Sequence, residues 1–410
     1  MKRYDIAVIG GGASGLAAAI TAKRTCRDLT VAVIERLPKV GKKILATGNG
    51  RCNLSNTDLS PDRYHGSCRK FLAKTGKFSV VELFESLGVF CNDDGFGRMY
   101  PHCRSAASVL DALRLETVRL GVEEIVGFEV KNIELKKYSG RPLYKIYSDN
   151  GTLTARKIIL AGGGMSQPSL GSNGSLFEIC GRLGIKYVQP YPALVPLKTD
   201  NTLVKPLKGQ RADANVMFRA DGKVIASRRG EVQFTEGLLS GICVFDLSYL
   251  YEQHKNVPEL LLDLLPDMNK NEVTELLRSV RSVRSEAPSE DFLSGIFTRP
   301  LGIYILKRVL PKHPKITGNI SNDQLIRLTE SIKCLPFPVT GTAGYDRSQI
   351  TGGGITADEL TDDLELRKTP GIYACGELLD IFGDCGGYNL DFAFSSGAAA
   401  GEKAALITSV

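Results

Sequence analysis

The stretch Tyr4-Asp5-Ile6-Ala7-Val8-Ile9-Gly10-Gly11-Gly12-Ala13-Ser14-Gly15 constrains this chain more than any other. An apolar run of strand length ends in GxGxxG and opens into the alanine-rich stretch Leu16–Thr25, which predicts strand, tight turn and helix. Leu29–Ile34 reads as a second strand, completing a βαβ unit. In such a unit Gly10 permits the turn, Gly12 lets a pyrophosphate approach the backbone, and Gly15 lets helix pack on strand. Ala13 and Ser14 stand in the first helical turn, whose N–H groups face phosphates. Glu35 follows Gly15 by twenty residues and ends the second strand, where a carboxylate accepts from ribose hydroxyls and repels a 2′-phosphate. Arg36 follows it.

GxGxxG alone does not separate FAD from NAD. Two further elements do. Ile158-Ile159-Leu160-Ala161-Gly162-Gly163-Gly164 is a strand running into glycines at mid-chain, and Thr369–Glu377 is a turn, a short strand and a Gly-acid pair, Gly376-Glu377. Three such elements far apart in one chain predict an α/β fold with a Rossmann-like, FAD-binding domain of the two-dinucleotide flavoprotein type. No histidine or cysteine adjoins a flavin-attachment motif, so the FAD is expected to be non-covalent. No second GxGxxG exists, so NAD(P)H would bind only transiently, as a co-substrate.

The chain is long enough for two to three domains at 410 residues. Beyond the first unit, the pattern predicts helices at 79–87 and 105–120 and strands at 124–135, 143–148 and 153–160, with a hairpin through Tyr138-Ser139-Gly140. Residues 40–57 read as an ordered glycine-rich loop. The texture changes at Gln189-Pro190-Tyr191-Pro192. Residues 191–248 read as short strands, and 255–334 as helical, with helices at 269–285 and 300–310. Glycine-rich texture returns near Cys334-Leu335-Pro336. The expectation is a discontinuous FAD-binding domain, 1–190 plus 335–410, carrying an inserted β-barrel-like and helical substrate or cap domain at 191–334.

Composition narrows the partners. Lysine and arginine number 52 against 45 acids, a net charge of +7, which suits anionic small molecules and makes a nucleic-acid partner unlikely. The ten cysteines come no closer than Cys375 and Cys385, so no CxxC exists for a zinc or iron–sulfur site, and no metal is expected. Reduced thiols, a six-residue apolar run after Met1-Lys2-Arg3, and no long apolar segment point to a cytoplasmic chain without a signal peptide or membrane span.

Longer motifs carry a resemblance. Lys42-Lys43-Ile44-Leu45-Ala46-Thr47-Gly48-Asn49-Gly50-Arg51-Cys52-Asn53-Leu54-Ser55-Asn56 resembles the GKK-TGxGRCN-x-x-N signature of the BaiN/YhiN-like bacterial NAD(P)/FAD-dependent oxidoreductases, the aminoacetone oxidase-like flavoproteins. Gly376-Glu377-Leu378-Leu379-Asp380, then Gly386-Gly387-Tyr388-Asn389-Leu390, Ala393 and Ser396-Gly397, is similar to the family's late motif. Gly230-Glu231, Phe234-Thr235 and Gly237–Gly241 resemble its barrel segment, and Gly97–Pro101 a GR-x-(F/Y)-P element. The chain departs from it at Glu236, where many relatives carry histidine, and at Leu364–Lys368, which replaces a basic, serine-containing stretch.

The resemblance implies a set of cofactor residues: Lys42, Thr47, Gly48, Arg51, Cys52, Asn53, Val130, Ala161, Gly162, Gly163, Gly376, Glu377, Gly387, Asn389 and Leu390. Val130 matches a backbone position that meets adenine. Arg51 can neutralise a phosphate or a developing flavin anion. Cys52 has no partner cysteine and reads better as packing than as a nucleophile. Thr351-Gly352-Gly353-Gly354 resembles the T-x-GG element of fumarate-reductase-type flavoproteins, and bare backbone at Gly352, Gly353 and Gly354 would let substrate lie over the flavin. Tyr388 can donate a proton or simply pack; Arg98 and His102 are further catalytic candidates.

The expected function is an FAD-dependent oxidoreductase working through flavin N5, reducing an activated C=C bond of a small molecule at the expense of NAD(P)H. The alternatives are an amine oxidase using O2 and a non-catalytic flavoprotein that binds RNA or a protein.

Overall fold

The computed structural model describes residues 2–138 and 141–408. The chain divides into two compact units, 1–192 with 349–410, and 193–348.

The first unit is built on a sheet whose parallel part runs Glu123–Ile125, Val31–Ile34, Arg3–Ile9, Gly151–Leu160 and Ile372–Ala374. The strand Gly151–Leu160 changes partner along its length. Its first half pairs antiparallel with Arg141–Ser148, and its second half pairs parallel with Ile372–Ala374. The expected strand at 124–135 is two strands, Glu123–Ile125 and Asn132–Tyr138, separated by a loop. That loop is pinned where Gly127 and Phe128 donate to the carbonyls of Leu37 and Glu35. Of the expected hairpin turn, Ser139 and Gly140 lie outside the described residues.

The central strands are buried on both faces, as near-continuous apolar runs require. One face is covered by two helices, Ala13–Thr25 and Tyr388–Thr408. They touch backbone to backbone: a Cβ at Gly397 would lie 2.1 Å from Ser14 O, and one at Gly401 2.2 Å from Ala18 O. Two glycines spaced four apart let the C-terminal helix lie against the first, while Gly387, just before its start, packs on Ser55 O. This helix is not among those the sequence pattern predicts. The helices Val80–Glu85 and Ala106–Arg119 begin at serine N-caps, Ser79 and Ser105.

The second unit holds a seven-stranded antiparallel sheet in the order Leu335–Pro338, Glu259–Asp263, Arg211–Ala220, Lys223–Thr235, Leu238–Ser240, Leu197–Lys198, Gly341–Thr342. Its two edge strands are neighbours in sequence. Val339 N donates to Pro258 O and Thr340 N to Lys198 O, so the segment 335–342 seams the sheet into a barrel. This corrects the expected boundary: residues 335–348 belong to the inserted unit, because their backbone hydrogen bonds complete its sheet. Glu259–Asp263 likewise is a strand inside the stretch read as helical. Three helices pack with the barrel, Lys270–Val283, Arg299–Val309 and Asn322–Lys333, two of them opened by capping boxes at Asn269/Glu272 and Ser321/Gln324.

Candidate cofactor and active site

The GxGxxG turn divides its work as steric arithmetic demands. A Cβ at Gly10, where φ is +109°, would lie 2.3 Å from Ala161 O, and one at Gly15 would lie 1.9 Å from Gly10 O. These two glycines are needed by the fold. A Cβ at Gly12 would meet no atom within 4 Å. Gly12 caps the helix Ala13–Thr25 with no side-chain cap, so the first-turn N–H groups face outward beside open backbone, the geometry of an anion site.

Glu35 lies beside this turn. Its Oε2 accepts from Gly11 N at 2.9 Å and its Oε1 from Leu37 N at 2.8 Å. Each oxygen keeps a second lone pair for a hydroxyl. Arg36 does not point at the turn; it donates to Gly171 O and Pro168 O, while Lys42 donates to Ser169 O. Val130 is buried in the loop held by Glu35 and Leu37.

Two of the three glycine elements meet at Thr351. Its hydroxyl accepts from Met165 N at 2.7 Å and Ser166 N at 3.0 Å, and its own N–H donates to Glu377 Oε1 at 2.9 Å. Glu377 Oε2 pairs with Lys43 at 2.7 Å. Lys43 was not singled out in the sequence, although its twin Lys42 was; the pair with Glu377 spans most of the chain and carries no local signal. Gly376, at φ +69°, sits against Ser14, and its N–H donates to Ser396. Ala161, Gly162 and Gly163 lead from the central strand past Gly10.

The 44–56 loop is ordered. Thr47 donates to Ile44 O, and Gly48, Asn49 and Cys52 all have positive φ. Cys52 is fully buried and its thiol is pushed up to about 11 by that burial, which suits packing and not nucleophilic attack. Asn53 Oδ1 is buried with no hydrogen-bond partner, and a Cβ at Gly387 would come within 2.8 Å of it. Asn389 clamps Gly383, donating to its carbonyl at 2.9 Å and accepting from its N–H at 2.7 Å. Leu390 packs against the core beside it.

The expected substrate floor and the catalytic candidates need correction or relocation. Gly352, Gly353 and Gly354 do not present bare backbone to a substrate. The Tyr191 ring lies 2.4 Å from where a Gly352 Cβ would be, Gly353 packs on the carbonyls of Val188 and Gln189, and Gly354 on Leu378 and Leu379. Their missing side chains make room for the chain itself. Arg98 is held by Asp94 at 2.7 Å on its own hairpin. Arg51 is exposed, with its guanidinium over the Tyr100 ring at 5.5 Å. Tyr388 is buried, edge-to-face with Tyr64 at 5.6 Å between centroids. His102 is exposed beside Asn92. Glu236 is exposed and pairs with Lys208.

All ten cysteines are free. Among the described residues no His/Cys/Asp/Glu group could hold a metal ion, and no helix is long and apolar enough to cross a membrane.

A sequence model described as the HI0933-like protein Rossmann domain matches residues 4–403. The chain belongs to the HI0933-like Rossmann family. Within that breadth, it is 36% identical to a 3-dehydro-bile acid delta(4,6)-reductase of Clostridium scindens over 98% of both chains. It is 26% identical to the ribosomal RNA dihydrouridine synthase of Escherichia coli, over 97% of this chain and 96% of that one. Among solved structures it shares the fold of a 3-ketosteroid delta1-dehydrogenase from Sterolibacterium denitrificans, with a TM-score of 0.51 at 13% identity over 99% of this chain and 100% of the other. The E. coli quinol fumarate reductase subunit FrdA gives the same TM-score at 16% identity, over 100% of this chain and 71% of that one.

Proposed function

We propose that this chain is an FAD-dependent oxidoreductase that reduces an activated, ring-conjugated C=C bond of a small molecule, drawing its electrons from NAD(P)H. The observation that carries the reading is the 36% identity to a delta(4,6)-reductase over 98% of both chains. The names of the relatives agree in chemistry, since a delta(4,6)-reductase and a dihydrouridine synthase both saturate a ring double bond.

The residues fit FAD. Open backbone at Gly12 and the uncapped helix start suit a pyrophosphate, the Glu35 carboxylate suits ribose hydroxyls, and the Val130 loop beside it suits the adenine. Asn53 Oδ1, buried and unpartnered against Gly387, offers an acceptor at the far end of the site. When bound, the flavin supplies hydride chemistry at N5. The chain's own part is to hold the phosphates on Gly12 and the first helical turn, to fix the Gly-acid element through Lys43, Glu377 and Thr351, and to wall the far end with Tyr64, Tyr191, Phe382 and Tyr388.

The test is anaerobic. The purified protein should be yellow and release FAD on acid precipitation. NADH or NADPH should bleach it, and a 3-oxo-4,6-diene bile acid should restore the oxidised spectrum faster than air does. Bleaching by amines with rapid reoxidation in air would establish the oxidase alternative instead. The dihydrouridine synthase relatives favour one second reading, a uridine of ribosomal RNA as the reducible ring; turnover of ribosomal RNA and not of the bile acid would select it.

A further inference from the structure

We propose that His65 and Asp384 are the proton-donating dyad of this site: Asp384 orients the imidazole, and His65 gives the substrate the proton that completes reduction of its C=C bond. The inference rests on the reductase reading above and adds the acid it lacks.

The two residues are 319 apart in sequence and meet through a short strand pair, Phe382 opposite His65 and Gly383 opposite Tyr64. His65 Nε2 lies 2.9 Å from Asp384 Oδ1. The carboxylate is the buried partner, with 5% of its side chain exposed, and the imidazole is the accessible one at 18%. The main chain at Asp384 is anchored, its N–H donating to Arg63 O at 2.9 Å. A buried carboxylate under a partly open imidazole fixes the ring's orientation, the arrangement by which a histidine serves as an oriented acid.

The dyad is attached to the cofactor motif from both strands. Asn389 grips Gly383, the residue before Asp384, with both ends of its amide. Tyr64, the residue before His65, donates to Tyr388 O at 3.4 Å and packs edge-to-face on its ring. On the other side the His65 ring stacks on Phe382 at 4.9 Å, Phe382 meets Tyr191 edge-to-face at 6.4 Å, and Tyr191 covers Gly352 of the T-x-GG element. One acid–base pair therefore sits in an aromatic wall between the T-x-GG element and the late motif, whose Gly387, Asn389 and Leu390 the family resemblance counts among the cofactor residues.

One alkene carbon receives a hydride, two electrons and a proton, from the reduced flavin. The π pair moves to the other carbon and forms its new C–H bond with the proton on His65 Nδ1. Imidazolium becomes imidazole, no leaving group departs, and solvent restores the proton.

The experiment uses the FAD-loaded enzyme, reduced anaerobically with dithionite and mixed with a 3-oxo-4,6-diene bile acid, with reoxidation followed by flavin absorbance. His65→Gln keeps an N–H donor for Asp384 near the Nε2 position but has no proton to give. Reoxidation should slow ~10²–10³-fold, while FAD content, thermal midpoint and the Kd of the bile acid for the oxidised enzyme stay within about threefold of wild type by the same principle that an acid acts only in the transition state. Asp384→Asn should slow it by a smaller factor and serves if the first variant does not fold. A His65→Gln enzyme as fast as wild type overturns the dyad, and so does one whose FAD content or bile-acid binding falls in step with rate. A wild type that the bile acid fails to reoxidise overturns the reductase reading and the dyad together.

Discussion

Replacing Gly12 by alanine should separate folding from cofactor binding. Gly12 has φ −82° and ψ −165°, extended backbone that any residue adopts. With no atom within 4 Å of its would-be Cβ, the apoprotein has nothing to rearrange. Its stability should stay level or rise by about 0.4–1 kcal/mol, through the smaller entropy of the unfolded chain. The new methyl instead occupies the approach of a pyrophosphate to the helix start. Pushing the phosphates back by that much forfeits at least one charge-assisted N–H bond, roughly 1.5–3 kcal/mol, or about 10- to 150-fold in Kd. Gly15→Ala makes the opposite prediction, since its Cβ would lie 1.9 Å from Gly10 O. That clash should cost the apoprotein about 1–3 kcal/mol or more before any cofactor is added. Urea unfolding of both apoproteins, with FAD titrations followed by quenching of flavin fluorescence, reads the two effects separately. A Gly12→Ala protein that binds FAD with the wild-type Kd would refute the reasoning, because the pyrophosphate could not then lie on this backbone.

Glu35→Ala should raise the Kd for FAD about 10- to 150-fold, and because it also orphans the N–H groups of Gly11 and Leu37 it should destabilise the apoprotein by about 1–3 kcal/mol; an unchanged Kd in the same titration would mean that the carboxylate meets no ribose. Burial raises Asp391 from 3.8 to about 6, with Ser55 donating to it at 2.6 Å and opposing the shift. Its native pKa exceeds the unfolded one, so its contribution favours folding fully below about pH 4 and is lost as pH rises through about 6. Asp391→Asn should therefore gain stability relative to wild type between pH 4 and pH 7, by up to about 3 kcal/mol; a pH-independent difference in urea unfolding would contradict this. In the inserted unit, Lys333 pairs with Asp263 at 2.7 Å and donates to the carbonyls of Leu265 and Met268, all with little exposure. Lys333→Met leaves that carboxylate unpaired and should cost about 2–4 kcal/mol, seen as a lower denaturation midpoint, whereas a midpoint within error of wild type would show that water already solvates Asp263.

Much of the first unit was legible because its signals are short-range. Whether Gly10 can turn and whether Leu16–Thr25 can be helical depend on neighbours a few residues away. Glu35 could be found by counting, since a βαβ unit of this length puts the end of its second strand beside its own first turn. The same counting could not show that Arg36 turns away to the carbonyls of 168 and 171. Nor could it separate Lys42 from Lys43, adjacent residues of which one meets Ser169 and the other Glu377. Arg281 and Arg284 stand three apart and look alike in sequence, yet Arg281 donates to Ile320 O and Arg284 to the carbonyls of Asp291, Phe292 and Ser294. Only the segments brought opposite them reveal that role.

The sequence by itself determined the strand–turn–helix at Gly10–Gly15, the acid at Glu35 and the presence of three glycine elements, because excluded volume at a missing Cβ and hydrophobic period act within one segment. Tertiary structure decided the rest. The segment 335–342 reads as a return to the first domain, but its backbone hydrogen bonds are satisfied only at the two open edges of the barrel. The glycines 352–354 read as a floor for substrate, but their space is taken by Tyr191 and two stretches of backbone. His65 and Asp384 carry no motif at all and become a pair only because two-residue strands, each meaningless alone, align across more than three hundred residues. Contacts of that kind depend on where distant segments are held, and no local propensity encodes it.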